Sequence, residues 1–507
     1  MILASSALFA ISFPPFRLIV PVFLCLVPLA IGVAREADGN GSARSAARMG
    51  AWFGFVGYGC NLYWIAVALA IYTKLAILGY VAALVWLTPW VALMAVTLFW
   101  SRRATHLPLA MLLPFTWVAH ELVLNYLSDL SFPWLPLGLG MTSSPVMVQI
   151  AELSGVRGVS FWIAMTSGLL ADAWLLRADR GAVVRRVGSV VGAAAIVGGF
   201  GVWRLSTIAV REVAPIGIIQ PNVPQDEKWQ AENRNRIVEI MVRLTRQQLA
   251  GREARLILWP EAALPGFMPE HPEWTDSLAA LARPARTPIL VGALDLVYHT
   301  PKDFDYYNAA MLVDSTGRVD AQPAYHKSYL VPIVERVPFL NPKWFGDLKW
   351  FGGYGIGRNT SLYAVSVGRF GVLICYESIF PQRSLLYRRE GADFLVNITN
   401  DAWFGRTLAP YQHEAHLTLR AIENRVGIVR AANTGISGYI DPFGRLQGAT
   451  ALYVEDARIY HAQTTSVRTL YVNLGDWVGL LCVAATLALC VLHFRPSRSA
   501  PWRARDL

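Results

Sequence analysis

The sequence predicts an α-helical membrane domain of about eight spans joined to a water-facing α/β domain. Of the 507 residues, 54% are hydrophobic and only 16% are charged, and the mean hydropathy is +0.38. This composition is too apolar for a soluble two-domain protein. Long apolar stretches fill the first 205 residues and return near residue 476, while short β-branched runs alternate with helical stretches in between.

The apolar stretches are interpreted as membrane helices, because a hydrocarbon core of about 30 Å needs roughly 20 helical residues. The stretch at 1–14 is short, so either its start is misassigned or it forms a tilted or partial span. No small-residue cleavage site is clear before the next apolar run, so we expect residues 1–35 to be retained rather than removed as a signal peptide. The stretches lie near residues 1–14, 17–34, 49–71, 75–100, 107–126, 154–176, 187–205 and 476–494.

Basic residues in the connections predict the orientation of the chain. Arginines gather in alternate loops and in the C-terminal tail, whereas the opposite loops hold little beyond Arg17, Lys74 and Arg157. Cytoplasmic loops are enriched in Lys and Arg, so both termini are predicted to be cytoplasmic and the region before the last span to lie on the far side. The arginines of the first set are Arg35, Arg44, Arg48, Arg102, Arg103, Arg177, Arg180, Arg185, Arg186, Arg495, Arg498, Arg503 and Arg505.

The chain divides into a membrane domain with about seven spans over 1–205, an α/β domain over 206–474, and a last transmembrane helix with a basic cytoplasmic tail over 475–507. In the α/β region we find no internal repeat, G-x-G-x-x-G motif or phosphate loop, and no basic stripe that would favour nucleic acid. The predicted strands are Ile216–Gln220, Leu256–Trp259, Ile289–Gly292, Phe394–Thr399 and Ile428–Ala431, and the predicted helices lie at 230–250, 275–283, 380–390 and 411–425.

Two aromatic segments are candidates for contact with the membrane or its surface. The loop Asp129–Gly140 is apolar and too short to span, so it is either a re-entrant or interfacial segment, with Trp134 at the headgroup level, or an ordinary hydrophobic connection. The stretch 338–355 is rich in Trp and Phe and carries two lysines, which favours a lid or membrane-dipping arm over aromatics packed on the domain's own surface.

Cys375 is the one cysteine of five that lies outside a long apolar run. The others (Cys25, Cys60, Cys482 and Cys490) indicate neither a disulfide framework nor a zinc site. The apolar residues before Cys375 predict a buried strand, and the polar residues after it a turn into a helix, which puts the sulfur at a strand end. A lone cysteine among apolar residues is usually a small core residue, so a catalytic role needs a base elsewhere in the chain.

Two further polar residues follow strand-like runs. Glu261 comes after Leu256–Trp259, beyond Pro260, and Lys327 ends the segment P-A-Y-H-K. A carboxylate, an ammonium and a thiol are the groups that covalent acyl transfer requires, as base, oxyanion partner and nucleophile. Taken singly, Glu261 fits a solvated loop residue and Lys327 a surface lysine, and sequence spacing does not show whether the three residues converge.

The order W-P-E, Y-H-K and I-C-Y-E is similar to the Glu-Lys-Cys triad of the nitrilase, or carbon–nitrogen hydrolase, superfamily, and N-I-T-N-D-A-W-F-G at 397–405 resembles the segment downstream of its cysteine. Because about eight predicted membrane spans surround the α/β domain in the sequence, the chain resembles the apolipoprotein N-acyltransferase family of bacterial inner membranes over nearly its whole length. The further motifs are Q-P-N-V-P-Q-D-E-K-W at 220–229, Y-N-A-A at 307–310, L-V-P-I-V-E-R-V-P at 330–338, F-P-W at 132–134 and G-D-W at 475–477.

The resemblance implies an αββα sandwich, nitrilase-like, on the periplasmic side of a multi-pass inner-membrane protein. It implies that Glu261 is the general base, Lys327 the oxyanion-stabilising cation and Cys375 the nucleophile. The residues that it implies as essential or supporting are Glu335, Trp229, Tyr376 and Glu377.

The implied reaction has two steps. Cys375 takes an acyl chain from a phospholipid as a thioester, and the α-amine of the N-terminal diacylglyceryl-cysteine of a lipoprotein then attacks it. The expected partners are the phospholipid donor, the diacylated apolipoprotein and the bilayer, with no nucleic acid, no metal and no cofactor, and we expect a monomer. The alternatives are a membrane-anchored nitrilase-type amidase, an N-acyltransferase for a different amine, and a scaffold with a decayed triad.

Three segments depart from the family pattern. The usual F-G-E before V-P reads Ile333, Val334, Glu335, and the usual S-T-N-N-G-I reads A-A-N-T-G-I at 431–436. The approach to the last span, L-Y-V-N-L-G-D-W, lacks the usual arginine or tyrosine before the glycine. None of these changes touches the triad, but they leave open the acceptor specificity and the mobility of the loop that carries Glu335.

Overall fold

The computed structural model describes residues 1–71, 73–251, 253–301, 303–339, 353–360 and 362–494. Most of the aromatic stretch predicted to contact the membrane falls in 340–352, outside the described residues. The predicted basic tail, with Arg495, Arg498, Arg503 and Arg505, also lies outside them.

Helices are found at all the predicted membrane positions. The helices are α1 (Ile2–Ala10), α2 (Ile19–Leu24), α3 (Val27–Asp38), α4 (Ala43–Leu62), α5 (Trp64–Ala70), α6 (Ala76–Thr105), α7 (Leu109–Asn125), α8 (Pro145–Val148), α9 (Ala151–Leu175), α10 (Arg180–Thr207), α11 (Gln225–Lys228), α12 (Arg234–Ala250), α13 (Pro272–Ala285), α14 (Pro381–Arg389), α15 (Ala409–Asn424), α16 (Leu470–Leu474) and α17 (Trp477–Phe494).

Not every predicted span has the length of a full crossing. In the part of the chain that the structure describes, five helical segments are long and apolar enough to span a bilayer, and the pair α4 and α5, bent by 51°, makes a sixth. Helix α7 is apolar but shorter, and α1 has only 9 residues. The count of eight spans therefore stays a prediction.

The α/β domain is built on two six-stranded sheets. The strands are β1 (Arg211–Gln220), β2 (Leu256–Leu258), β3 (Ile289–Thr300), β4 (Asp303–Val313), β5 (Tyr325–His326), β6 (Tyr363–Val365), β7 (Gly368–Ile374), β8 (Phe394–Thr399), β9 (Ile428–Ala432), β10 (Gly438–Ile440), β11 (Leu446–Gln447) and β12 (Asp456–Thr464). The first sheet has the order β12-β1-β2-β3-β4-β5, and the second has the order β11-β10-β9-β8-β7-β6. Each has a parallel centre, β1-β2-β3 or β7-β8-β9.

The two sheets pack face to face through β-branched and other apolar side chains, as the buried runs of the sequence predict. The shared core includes Ile218, Leu258, Leu290, Val372, Val396 and Val429. Helices α12 and α13 cover the outer face of the first sheet, where Met241 and Leu278 join its core. Helices α14 and α15 cover the second sheet. The predicted αββα layering is therefore confirmed.

The α/β domain rests on the membrane helices through α15, whose Leu419 and Ile422 share a core with them. The loop 129–140 lies in this junction. Trp134 is only 1% exposed, its indole N–H donates to Gln412 Oε1 at 2.8 Å, and its carbonyl lies 3.0 Å from His416 Nε2. The burial of Trp134 within the protein favours the second alternative, a hydrophobic connection, because an apolar, aromatic loop can be buried by protein as well as by lipid.

Candidate functional site

The nucleophile candidate lies where a buried strand ends. Strand β7 leads into Cys375, which opens a short 3-10 turn over Cys375–Ile379 before α14 begins. Its φ is +49°, in the left-handed region. For a residue with a Cβ, this conformation costs about 1–2 kcal/mol. Such a conformation persists only where the surroundings fix it.

The structure brings the predicted triad together around one cavity. Glu261 follows β2 and Lys327 follows β5, so both come from ends of the first sheet, whereas Cys375 comes from the second. Lys327 Nζ lies 3.2 Å from Glu261 Oε1, and all three side chains line the cavity. The side chains are buried, with 1% of Lys327, 5% of Glu261 and 7% of Cys375 exposed.

The charges of the triad depend on one another. Burial opposes the charge of Glu261, but Lys327 and the amide of Asn308 outweigh it and lower the pKa of that carboxyl. Burial likewise opposes the Lys327 ammonium, but Glu261 and Glu335 hold its pKa well above the usual value. Burial raises the pKa of the Cys375 thiol, and the negative Glu261 raises it further. The resting site therefore holds a carboxylate, an ammonium and a neutral thiol.

Glu335 and Asn308 complete this cluster. Lys327 Nζ donates to Glu335 Oε1 at 2.8 Å, and the backbone N–H of Val331 donates to Glu335 Oε2 at 2.7 Å. Asn308 Nδ2 donates to Glu261 Oε1 at 2.7 Å and to Glu335 Oε1 at 3.0 Å. Carboxylates only accept, so one amide group bridges the two glutamates. Sequence reasoning missed Asn308, although the motif Y-N-A-A contained it.

Glu261 has two more partners on its far side. The backbone N–H of Asn400 donates to Glu261 Oε2 at 2.8 Å. Lys228 is 2% exposed, and its Nζ donates to the Glu261 carbonyl at 3.2 Å. Burial lowers the pKa of Lys228 to about 8. Sequence analysis selected the neighbouring Trp229, which is 42% exposed and lines the cavity, but not Lys228.

Glu377 is fully buried and does not line the cavity. Its Oε1 accepts from the backbone N–H of Ser328 at 2.7 Å and from the hydroxyl of Tyr325 at 2.7 Å. These two residues lie one and two positions from Lys327 in the sequence. Its Oε2 accepts from the N–H of Ile374 at 2.8 Å. Glu377 therefore ties the segment that carries Lys327 to the strand that carries the thiol.

The loop that carries Glu335 contains an unusual backbone conformation. Ile333, which stands in one of the departures from the family pattern, has a φ of +71° and is 44% exposed. A β-branched residue is strained in this left-handed region. The neighbouring bonds to Glu335 hold the loop over the cavity despite that strain.

The cavity has a volume of about 350 Å³ and combines a charged end with an apolar wall. Part of this wall comes from the membrane domain, since Trp64 and Ala68 of α5 line it. Its other apolar walls include Phe267, Leu294, Val331, Val334, Trp403 and Phe404. A site of this kind suits an apolar chain that ends in a reactive carbonyl.

Family models match most of this chain. The carbon–nitrogen hydrolase model matches residues 213–471, and the model of the apolipoprotein N-acyltransferase N-terminal domain matches residues 5–169.

Curated relatives are similar over nearly the whole length. The apolipoprotein N-acyltransferase of Geobacter metallireducens is 33% identical, covering 98% of this chain and 95% of its own. Those of Methylococcus capsulatus and Brucella suis are 31% and 32% identical, covering 98% and 88% of this chain and 96% and 86% of theirs. An amidase crystal structure from Nesterenkonia sp. covers 54% of this chain and 97% of its own at 16% identity, with a TM-score of 0.38, too low to support a conclusion.

Proposed function

This chain belongs to the apolipoprotein N-acyltransferase family, and we propose that it moves an acyl chain from a membrane phospholipid, through a Cys375 thioester, to the α-amine of the N-terminal diacylglyceryl-cysteine of lipoproteins. In this proposal Glu261 is the general base, Lys327 the oxyanion partner and Cys375 the nucleophile.

In the first step the Cys375 sulfur attacks the ester carbonyl of the phospholipid while its proton passes to Glu261. The oxyanion that forms is stabilised by the Lys327 ammonium. Collapse breaks the ester bond, and the lysophospholipid leaves with the proton from Glu261. The site needs this base because burial raises the pKa of the thiol.

In the second step the neutral amine of the acceptor attacks the thioester carbonyl. Glu261 takes a proton from the amine, Lys327 again meets the oxyanion, and the thiolate leaves as the amide forms. The thiolate then recovers its proton from Glu261. The same three side chains serve both halves, so we expect ping-pong kinetics.

One observation supports this function above the amidase alternative. The buried Glu261, Lys327 and Cys375 open onto a cavity whose apolar wall includes Trp64 and Ala68 of a membrane helix. A hydrolase for small polar amides has no need of such a wall, whereas an acyl chain entering from the bilayer does.

We also propose eight spans, domain boundaries at 1–205, 206–474 and 475–507, cytoplasmic termini and a periplasmic catalytic domain. Two contacts support this orientation: Arg102 pairs with Asp38 at 2.8 Å, and the N–H of Leu109 donates to Asp172 Oδ1 at 3.0 Å. They join helix ends beside the arginine-bearing loops, whereas the α/β domain contacts the opposite ends of α4 and α9 through Asn61 and Glu152. We also propose a monomer, since Glu261, Lys327 and Cys375 of a single chain line one cavity.

The test is a transfer assay with purified full-length protein, labelled phospholipid and a synthetic diacylated lipopeptide. We expect a triacylated lipopeptide from the wild-type protein and none from Cys375→Ala. Free fatty acid as the sole product would identify a hydrolase instead. A lipopeptide with an acetylated α-amine is the matched control and should remain unmodified.

A further inference from the structure

Two side chains contact the backbone carbonyl of Cys375. Ser378 Oγ donates to the Cys375 carbonyl at 2.9 Å, and His413 Nε2 lies 3.0 Å from the same oxygen. His413 and Ser378 are both fully buried. Because Cys375 is in the left-handed region, the direction of its carbonyl, and with it that of the thiol, depends on these partners.

His413 is itself fixed by a buried ion pair. Its Nδ1 lies 3.0 Å from Asp401 Oδ1, and Arg430 Nη2 lies 2.6 Å from Asp401 Oδ2. Burial opposes the charge of Asp401, but Arg430 outweighs it and lowers the pKa of that carboxyl to about 2. None of these three residues lines the catalytic cavity, so they act through Cys375 rather than on a substrate.

One face of the His413 imidazole ring is covered by the membrane domain. The ring of Trp134 stacks on the imidazole, with centroids 5.8 Å apart and planes inclined by 23°. Trp134 Nε1 donates to Gln412 Oε1 at 2.8 Å, and Gln412 Nε2 donates to Asn61 Oδ1 at 3.2 Å. The position of the imidazole is thus linked to helix α4.

Tyr376, directly after the nucleophile, meets the same segment. Its hydroxyl donates to the Ser131 carbonyl at 2.9 Å. Its ring lies 6.5 Å from that of Trp134 at 21° and 6.4 Å from that of Phe132. The residue after Cys375 and the imidazole behind it therefore both contact Ser131–Trp134.

We infer that the membrane-domain segment Ser131–Trp134 is a positioning element for the nucleophile, acting through His413 and Tyr376 to hold the Cys375 backbone and aim its thiol. The inference deepens the proposed acyl transfer and rests on it. The α/β domain is then competent only while it sits on the membrane domain. Trp134 and His413 are positioning residues, since neither lines the cavity.

The test compares Trp134→Leu with Trp134→Phe, which keeps an aromatic face on His413, and with Trp52→Leu, a matched change at a 61% exposed tryptophan of α4. Single-turnover acylation of Cys375 is followed by intact mass at several phospholipid concentrations. A displaced nucleophile slows the chemical step by about tenfold or more. We expect this loss for Trp134→Leu at saturating phospholipid with an unchanged half-saturating concentration, and near-wild-type rates for Trp134→Phe and Trp52→Leu.

A second readout is the rate and pH profile of Cys375 alkylation by iodoacetamide, with Cys375→Ser as the blank. We expect an altered profile in Trp134→Leu, and in His413→Leu more than in His413→Gln, whose amide can still donate to the carbonyl. Wild-type alkylation and acylation in folded Trp134→Leu would overturn the inference, as would equal losses in Trp134→Leu and Trp52→Leu. If alkylation is altered in Trp134→Leu but the wild-type protein is not acylated at all, the positioning role stands and the proposed acyl transfer is refuted.

Discussion

The two sheets of the α/β domain are alike in strand number and in their parallel centres, but they contribute different things to the site. The first sheet supplies Glu261 and Lys327, whose charges are set by close ionic partners. The second supplies Cys375, and its helix α15 packs on the membrane domain. The charges of Glu261 and Lys327 therefore depend mainly on ionic partners beside the first sheet, whereas the direction of the thiol is controlled by the second sheet and the membrane segment behind it.

The largest expected effect comes from removing the cation of the first sheet. In Lys327→Met, Glu261 and Glu335 lose the ammonium they share and the oxyanion loses its partner. Loss of one such donor costs about 100- to 1000-fold in rate, and breaking a buried ion pair costs about 3–5 kcal/mol in stability. Acylation by intact mass and thermal unfolding measure the two effects. Lys74→Met, at an exposed position, is the control, and acylation within tenfold of wild type in Lys327→Met would contradict the assignment.

Asn308→Ala tests whether the amide bridge sets the geometry of the two carboxylates. The change removes two hydrogen bonds to charged groups, each worth about 1.5–3 kcal/mol. We expect acylation to slow by about 10- to 100-fold, since the bond to Glu261 also lowers the pKa of that carboxyl. Single-turnover rates at several pH values are the measurement. An unchanged rate and an unchanged pH profile would show that the bridge is not needed.

Glu377→Gln tests the connection between the two halves. The two oxygens of Glu377 accept from the backbone N–H groups of Ser328 and Ile374. In the variant an amide nitrogen replaces one of these oxygens, so a buried N–H group faces another donor. An unsatisfied buried group costs about 1–3 kcal/mol, so we expect a lower unfolding temperature and acylation slower by about tenfold. Glu390→Gln, at an exposed position, should behave as wild type. A stable, fully active Glu377→Gln would contradict this role.

The smallest expected effect is a shift in pH dependence in Lys228→Met. The base must be ionised, so activity falls as the pH drops through the folded-state pKa of Glu261, which Lys228 helps to lower. Removing this cation raises that pKa, and the acidic limb of the rate profile moves to higher pH. Lys228→Arg keeps the charge and should keep the limb in place. A limb that does not move in Lys228→Met would show that the two groups are uncoupled.

Local pattern predicted the framework well because buried parallel strands are continuous runs of β-branched residues. Strand Phe394–Thr399 has the predicted bounds, and the helix predicted at 411–425 covers Ala409–Asn424. The placing of Glu261, Lys327 and Cys375 at strand ends also followed from such runs. Their convergence did not follow, since it depends on how two sheets stack.

The parts that were missed depend on contacts between distant segments. Asn308 and Lys228 lie inside the motifs Y-N-A-A and Q-P-N-V-P-Q-D-E-K-W, but the local pattern does not show their role or that of His413, because each acts through a partner far along the chain. The environment of Trp134 stayed open for a related reason: apolarity alone does not distinguish a lipid environment from the interior of a protein.

Covalent acyl transfer through Cys375 is tested by intact-mass measurement of the full-length protein incubated with phospholipid alone. The predicted result is a gain of one acyl chain on the wild-type protein, absent from Cys375→Ala and released when the diacylated lipopeptide is added. No adduct on a folded protein whose Cys375 still reacts with iodoacetamide would contradict the claim, and so would an adduct that persists in Cys375→Ala.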